Sequence, residues 1–224
     1  MAVATWRKAI AEFVGTFALI FIGAGAIIST GGNDLLLIAL AHGLTIGVMA
    51  SALAHISGGQ FNPAVTLGAL VGRQISVRLA LVYWLSQLLG ASVAALMLYG
   101  VFSHDEWLNS KLGTPSLGPA VSVGTGILIE AVLTFFLVFV VYGTGIDPKG
   151  SFNAVGGMAI GLTVALDIMM GGPLTGAAMN PARWFGPAVV ARFFDNWYVY
   201  WIGPFIGGIV AGLLYSRVLL EKPS

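Results

Sequence analysis

The stretch GGQFNPAV at residues 58–65 recurs near the other end of the chain as GAAMNPAR at residues 176–183. The shared tripeptide runs over Asn62, Pro63 and Ala64 in the first copy and over Asn180, Pro181 and Ala182 in the second. Asparagine is a favoured helix N-cap, and proline is favoured at the first helical position because the N–H that it lacks would be unpaired there. Each tripeptide therefore predicts the start of a helix.

The composition around these tripeptides is that of a membrane protein. Of 224 residues, 58% are hydrophobic and 8% are charged, and the mean hydropathy is +0.93. Soluble domains carry roughly 25% charged residues. Six segments are long and apolar enough to cross a bilayer, at about 9–29, 35–54, 79–101, 122–144, 153–171 and 197–219. The first is expected to be a retained span rather than a signal peptide, because it is long and carries Glu12.

Two shorter apolar segments remain, at about 62–72 and 180–190, and each begins with one of the tripeptides. About ten helical residues span roughly 15 Å, half of a hydrocarbon core of about 30 Å. We therefore expect two half-helices that enter the membrane and end at its midplane. Their N-termini would face each other there, with the partial positive charges of both helix dipoles.

The two halves of the chain are related by one constant offset in residue number, the same offset that takes position 62 to position 180. It maps Glu12 onto Glu130, Thr16-Phe17 onto Thr134-Phe135 and Gly43-Leu44-Thr45 onto Gly161-Leu162-Thr163. This indicates an internal duplication, with repeats at about 9–101 and 122–219 joined by a loop at 102–121. Each repeat holds three spans, so the second copy is inverted. The expected fold is a single domain, 1–224: an all-α membrane protein with six transmembrane helices plus two re-entrant half-helices in an inverted three-span repeat.

The charges give this topology an orientation. One side carries most of the cations, namely Arg7, Lys8, Arg73, Arg78, Lys149, Arg217 and Lys222. The other side has Lys111, Arg183 and Arg192. The positive-inside rule then predicts that both termini are cytoplasmic, and we expect a cell-membrane location. The net charge of +1 gives no reason to expect a nucleic-acid partner, and the absence of cysteine removes disulfides and thiolate chemistry.

The doubled motif, in SGGQFNPAVTLG and TGAAMNPARWFG, resembles that of the aquaporin (major intrinsic protein) family, as do the paired Glu12 and Glu130 and the six spans. The resemblance covers nearly the whole chain. It implies a homotetramer in a lipid bilayer, with a water pore in each monomer. The amides of Asn62 and Asn180 would bind a water at the midplane and break proton hopping. The backbone carbonyl groups that accept hydrogen bonds from passing waters would come from Gly58, Gly59, Gln60, Gly176, Ala177 and Ala178.

The same resemblance places the narrow selectivity filter at His42, Ile168, Ala177 and Arg183. This set is similar to that of tonoplast-type plant channels, which conduct water and often ammonia, urea or hydrogen peroxide. The loop histidine that some ammonia-conducting members carry corresponds to Pro115 here. Glycerol is disfavoured, because Trp184 stands where glycerol facilitators have aspartate. Ile168 could instead be plain core packing.

Other polar residues have expected supporting roles. Glu12 and Glu130 are expected to accept N–H bonds from the irregular loops before the half-helices. His55 would line the cytoplasmic vestibule or brace the same loop. Asp167, an ionisable residue at span depth, is a candidate functional residue or else a group that bonds loop backbone. Tyr83 and Tyr200 lie near predicted span ends, as interfacial aromatic residues do.

The expected function is a passive transmembrane water channel, with ammonia or other small neutral solutes as additional cargo and protons and ions excluded. The alternatives are a glycerol or urea facilitator, an alternating-access transporter, which also uses inverted repeats and broken helices, and a structural protein with a closed pore. An enzyme is disfavoured, since the sequence has neither a nucleophile–base–acid set nor a metal-ligand cluster, and we expect no cofactor.

Overall fold

A computed structural model describes residues 3–150 and 156–221, and helices are the regular secondary structure of this part of the chain. Six helices are long and apolar enough to span a membrane. They are α1 (Thr5–Thr30), α2 (Leu35–Ser57), α4 (Val77–Val101), α6 (Val123–Val141), α7 (Gly156–Thr175) and α9 (Val199–Leu214). Single π-helical turns extend α6 over Tyr142–Ile146 and α9 over Tyr215–Leu219. The expected fold class is confirmed.

The spans end close to the predicted limits, with two differences. Helix α1 begins at Thr5, several residues before the predicted start, and α7 runs on to Thr175 through Pro173. Residues 153–155, the start of the predicted fifth span, lie outside the described residues. With six spans, both termini lie on one face of the bundle, which we call the terminal face; the other is the opposite face.

The long helices pack most extensively in three pairs: α2 with α7, α6 with α9, and α1 with α4. Small residues lie where α2 and α7 cross. A Cβ added to Gly43 would come within 2.5 Å of the carbonyl oxygen of Gly161. Because lipid gives helices little hydrophobic reason to associate, close backbone approach at such glycines supplies much of the packing energy.

The two half-helices are α3 (Pro63–Val71) and α8 (Pro181–Ala191). Helix α3 packs mainly on α9, and α8 packs mainly on α4, so the pair fills the space between these two spans. The close approach of α3 to α9 depends on Gly68, where a Cβ would lie 2.9 Å from the carbonyl oxygen of Gly208.

The linker at 102–121 is more structured than the predicted loop. It contains the short helix α5 (His104–Asn109), which is fixed by a reciprocal capping box between Ser103 and Glu106. Trp107 packs its ring on that of Tyr99, 4.7 Å away between centroids. The linker then returns into the protein, where Leu112 is fully buried. Its sequence is polar, but these caps and contacts give it a defined path.

Candidate functional site

Both half-helices begin at the tripeptides as predicted. The side-chain oxygen of Asn62 accepts from the backbone N–H of Ala64 at 2.8 Å. That of Asn180 accepts from Ala182 at 2.9 Å and from Arg183 at 3.2 Å. These bonds satisfy N–H groups that a helix start leaves unpaired, and such N-caps stabilise a helix by about 1 kcal/mol.

The two half-helix tips are bonded directly to each other. The Nδ2 of Asn62 donates to the carbonyl oxygen of Met179 at 2.9 Å, and the Nδ2 of Asn180 donates to that of Phe61 at 2.9 Å. Each amide nitrogen carries two hydrogens. The other hydrogen of each amide is free to bind a water, so the two asparagines both join the tips and face the space between them.

Two buried carboxylates hold the loops that lead into the half-helices. The side chain of Glu130 accepts from Thr175 Oγ1 at 2.7 Å, from the N–H of Ala178 at 2.9 Å and from that of Met179 at 2.7 Å. Two residues of this loop that carry a Cβ, Ala177 and Met179, have positive φ angles, of 44° and 53°. Residues with a Cβ rarely adopt this conformation. The carboxylate therefore fixes a backbone path that the loop would not take alone.

Glu12 makes the equivalent bonds in the first half. It accepts from Ser57 Oγ at 2.7 Å, from the N–H of Gln60 at 3.0 Å and from that of Phe61 at 2.6 Å. The donors stand at the same sequence separations from the glutamate as those of Glu130. Gln87 adds a bond that has no counterpart at Glu130, donating from Nε2 to Glu12 at 2.8 Å. Sequence reasoning did not identify this glutamine.

Two tyrosines hold the same loops and correct an expectation. Tyr83 and Tyr200 were expected at the membrane interface, but both are fully buried. The hydroxyl of Tyr83 donates to the carbonyl oxygen of Ser57 at 2.5 Å, and that of Tyr200 donates to Thr175 at 3.0 Å. A buried tyrosine hydroxyl requires a partner, and here the partner is the last residue of a span. The two positions are not related by the shift that relates the tripeptides, so the repeat gave no signal for them.

A narrow cavity of about 30 Å³ runs past the half-helix tips. That volume is enough for about one or two waters. Nine of the residues that line it are predicted site residues: His42, Gly59, Gln60, Asn62, Ile168, Ala177, Ala178, Asn180 and Arg183. The structure thus brings the four filter positions and both asparagines to one cavity.

Arg183 lies at the end of this cavity nearer the opposite face and is 3% exposed. Its Nε donates to Nε2 of His42 at 3.1 Å, and its Nη1 donates to the carbonyl oxygen of Gly113 at 2.8 Å. The other ring nitrogen of His42, Nδ1, is 2.8 Å from the carbonyl oxygen of Ile38. Since a carbonyl can only accept, Nδ1 carries the hydrogen and Nε2 accepts from the arginine. His42 is therefore neutral in this arrangement.

A wider cavity of about 680 Å³ opens at the terminal face. Gly58 and His55 line it, as does Gln60, which reaches both cavities. His55 is exposed and makes no side-chain hydrogen bond to the described loop, so its position is in this cavity rather than beneath the loop. Gly176 was expected to supply a pore carbonyl, but it is not among the residues that line the narrow cavity. It packs against Pro115, whose Cα would lie 2.9 Å from a Cβ at this glycine.

Two unusual residues beside the site lie away from the narrow cavity. The side chain of Asp167 is 6% exposed, and its Oδ2 is buried without a hydrogen-bond partner among the described residues, so the expected bond to loop backbone is wrong. Trp184 stacks on the ring of Tyr200, with centroids 5.8 Å apart and planes at 10°. It belongs to an aromatic groove on the outside of the bundle with Phe185, Phe194, Trp197 and Trp201.

Comparison with known proteins agrees with this architecture. Residues 1–215 match the family model described as major intrinsic protein. The chain is 44% identical to the Arabidopsis thaliana protein named Probable aquaporin TIP3-2, over 96% of this chain and 85% of that protein. It is 42% identical to Aquaporin TIP4-4 of Zea mays, over 96% of this chain and 88% of that protein. Among solved structures, the aquaglyceroporin of Plasmodium falciparum superposes with a TM-score of 0.87 at 28% identity, covering 96% of this chain and 97% of that one.

Proposed function

Because this chain belongs to the major intrinsic protein family, we propose that it is a passive water channel whose pore passes between the tips of α3 and α8. The observation that carries the proposal is the cavity of about 30 Å³ that Asn62, Asn180 and the four filter positions line together, and that shares Gln60 with the wider cavity at the terminal face. The relatives named as aquaporins support the same function. Water would cross in single file down its own gradient.

Protons are excluded by the way a central water is held. Each asparagine amide keeps a second hydrogen for a water in the cavity that both side chains line, and the two half-helix dipoles place partial positive charge there. A water there uses its oxygen to accept from both amides and turns its hydrogens outward. It then cannot accept a proton from its neighbour, so the hydrogen-bonded chain is interrupted while water continues to move.

Cations are excluded at the filter. Arg183 keeps its charge, because a guanidinium does not lose its proton in proteins. Its anchored nitrogens bond to His42 and Gly113, and the remaining N–H groups replace part of the hydration of a passing water. Ile168 and Ala177 supply apolar walls on the other sides. Small neutral molecules pass such a ring, and dehydrated cations do not.

We also propose that ammonia and other small neutral solutes cross this filter. Ile168 presents hydrocarbon where a histidine would present a polar ring, and His42 uses both nitrogens in bonds to Ile38 and Arg183. A solute therefore does not need to form particular hydrogen bonds with these two side chains in order to pass. Facilitation of glycerol and urea is the alternative function, since the aquaglyceroporin of Plasmodium falciparum shares the fold.

The protein is a multi-pass membrane protein, and we propose the cell membrane as its location, with both termini in the cytoplasm, from the distribution of its cations. We further propose a homotetramer of channels, as in the family that the sequence resembles. Many large apolar side chains on the outer surfaces of the spans would face lipid or neighbouring copies, among them Leu85, Leu128 and Leu166. We propose no enzymatic activity and no cofactor. Cross-linking in native membranes would give the subunit number, and protease access to tagged termini would give their side.

The first experiment is stopped-flow light scattering on proteoliposomes, with wild type beside the double variant His42→Phe/Ile168→His. We expect fast water flux with a low activation energy in wild type. We also expect ammonia-driven alkalinisation of the vesicle interior, which the double variant loses. The matched control is His104→Phe, because His104 is exposed in the linker.

Each outcome decides between functions. Fast water flux with ammonia no quicker than in empty liposomes would make this a strict water channel and overturn the proposed filter. Saturable flux coupled to an ion gradient would identify a transporter. A folded protein without water flux would refute the proposal and favour a closed scaffold.

A further inference from the structure

A chain of hydrogen bonds connects Glu12 with the narrow cavity. Nε2 of Gln87 donates to Oε2 of Glu12 at 2.8 Å and to Oγ1 of Thr66 at 3.1 Å. That hydroxyl in turn donates to Oε1 of Gln60 at 2.7 Å. Glu12, Thr66 and Gln87 are fully buried, whereas Gln60 is half-buried. We call these four residues the Glu12 network.

The donors and acceptors of the Glu12 network run in one direction. Each oxygen of Glu12 accepts a backbone N–H, so Gln87 meets this carboxylate with its donor, Nε2. The second hydrogen of the same nitrogen goes to Thr66, whose single hydroxyl hydrogen is then left for Gln60. Gln60 receives that hydrogen with its acceptor, Oε1. The carboxylate therefore fixes which end of the Gln60 amide is bonded inside the protein.

The other end of the Gln60 amide is open to water. Its Nε2 has no hydrogen-bond partner among the described residues, yet it is not one of their buried unpaired atoms, so water can reach it. An amide nitrogen carries two hydrogens and does not accept. Gln60 therefore offers hydrogen-bond donors, and no side-chain acceptor, to whatever passes it.

Gln60 stands where the two cavities meet. Of the described residues, four line both the narrow and the wide cavity: Gln60, Val65, Val141 and Ile160. We call this place the junction. Three of its four side chains are aliphatic and form no hydrogen bonds. A solute that crosses the junction can therefore form a side-chain hydrogen bond there with Gln60.

The second half of the chain has no equivalent of the Glu12 network. The constant offset that relates the repeats takes its members beyond Glu12 to Ala178, Trp184 and Phe205. Two of these have no polar side-chain atom, so the network cannot form there. The same offset relates Val65 at the junction to Arg183 in the filter. Apart from the asparagines that both halves share, the first half thus brings Gln60 to the pore as a donor, and the second half brings Arg183.

We propose that Gln60 is a second selectivity element of the pore, at the junction, and that the Glu12 network holds its amide with Nε2 toward the passing solute. This inference rests on the proposed water channel and deepens it. Water and ammonia have a lone pair that can accept from this amide. Ammonium has hydrogens only, so it finds no partner in this side chain.

A donor is the group that water lacks at the junction. In the proposed pore, the central water turns its hydrogens outward, so each water toward the terminal face accepts from its inner neighbour and donates to its outer one. The proposed pore carbonyls can accept the remaining hydrogen, but they cannot bond the remaining lone pair. Nε2 of Gln60 supplies that bond, and it favours the same outward orientation of the water.

The first test is osmotic water permeability in proteoliposomes for Gln60→Met and Gln60→Glu. Methionine has about the same length and removes both polar ends of the amide. Glutamate keeps an oxygen for Thr66 and replaces the donor at the junction with an acceptor. We expect both variants to lose water permeability several-fold. Because Gln60 is half-buried, both should melt close to wild type in detergent.

Thr66→Val tests whether the Glu12 network sets the direction of the amide. Valine has nearly the shape of threonine but no hydroxyl hydrogen, so the Gln60 amide is released and can turn over. We expect a several-fold loss of water permeability. The matched control is Thr134→Val, which should conduct like wild type. Thr134 is also fully buried, and its hydroxyl bonds the backbone carbonyl of Glu130 at 2.7 Å, outside the network.

A double-mutant cycle separates orientation of the amide from general damage to the fold. In a Gln60→Met background there is no amide to orient, so Thr66→Val should not lower water permeability further. A further loss of undiminished size, or wild-type permeability in either Gln60 variant, would overturn the inference. If Thr66→Val does not fold, the two Gln60 variants decide. Wild-type vesicles no faster than empty liposomes would instead refute the proposed water channel itself.

Discussion

Asn62 of one half-helix and Asn180 of the other each donate a side-chain hydrogen bond, 2.9 Å long, to the backbone that precedes the opposite asparagine. The bonds are reciprocal: one ends on Met179 and the other on Phe61. Each asparagine also caps its own helix. One residue type thus starts the half-helix, joins it to its partner and leaves an N–H for water, which explains physically why the tripeptide occurs twice.

We expect Asn62→Ala to destabilise the protein and to slow water flux. The change removes an N-cap and leaves the carbonyl of Met179 without its donor, at a cost of roughly 2 kcal/mol or more in the free energy of unfolding. Circular dichroism melting in detergent would measure the stability, and stopped-flow scattering would measure the flux. Asn33→Ala is the control, because Asn33 is exposed between α1 and α2. Equal effects of the two substitutions would contradict this account of the tips.

Replacement of the buried carboxylates by amides should destabilise both halves, and Glu12→Gln should cost more than Glu130→Gln. A glutamine side chain has only one oxygen that can accept. Its amide nitrogen would therefore replace the other carboxylate oxygen and would face the N–H or O–H groups that had bonded to it. At Glu130 the nitrogen can take the place of Oε2, which has one donor, Met179. At Glu12 each oxygen has two donors, and Oε2 accepts from both Phe61 and Gln87.

Each buried donor left unpaired costs about 1–3 kcal/mol. Thermal unfolding of the two variants in the same detergent would rank them. Asp105→Asn is the control, because its carboxylate is 92% exposed on α5. A larger loss for Glu130→Gln would show that the number of donors on the replaced oxygen does not govern the cost.

The parts of this structure that were predictable are those that leave a pattern along the chain. Asparagine followed by proline marks a helix start, and the repeat relates Glu130 to Glu12. The parts that were not predictable depend on contacts between a side chain and a distant backbone carbonyl. Tyr83 and Tyr200 each bond such a carbonyl, and so does Arg183 at Gly113. A carbonyl is present in every residue, so its use as a partner has no signature in the sequence.

Asp167 is a site where substitution should stabilise the protein. Its Oδ2 has no partner among the described residues, and an unpaired carboxylate in a span is costly to bury. We expect Asp167→Asn to raise the free energy of unfolding by about 1 kcal/mol, because an unpaired buried charge costs more than the unpaired neutral amide of nearly the same size that replaces it. Asp34→Asn is the matched control. Asp34 caps α2, a role that asparagine fills equally well, so its melting temperature should not change. A lower melting temperature for Asp167→Asn would reveal a partner that this carboxylate requires.

The position of the pore can be mapped with a thiol, because the chain has no cysteine of its own. Ala177 lines the narrow cavity together with Arg183 and is 2% exposed. We expect an organomercurial to leave wild-type water flux unchanged and to block Ala177→Cys, since the bound reagent would fill a cavity of only about 30 Å³. A reducing thiol should restore the flux. Ala120→Cys, on the exposed linker, is the matched control and should bind the reagent without loss of flux. Block of the wild-type protein would show that the measured flux belongs to another protein, and unimpeded flux through labelled Ala177→Cys would show that water does not take this path.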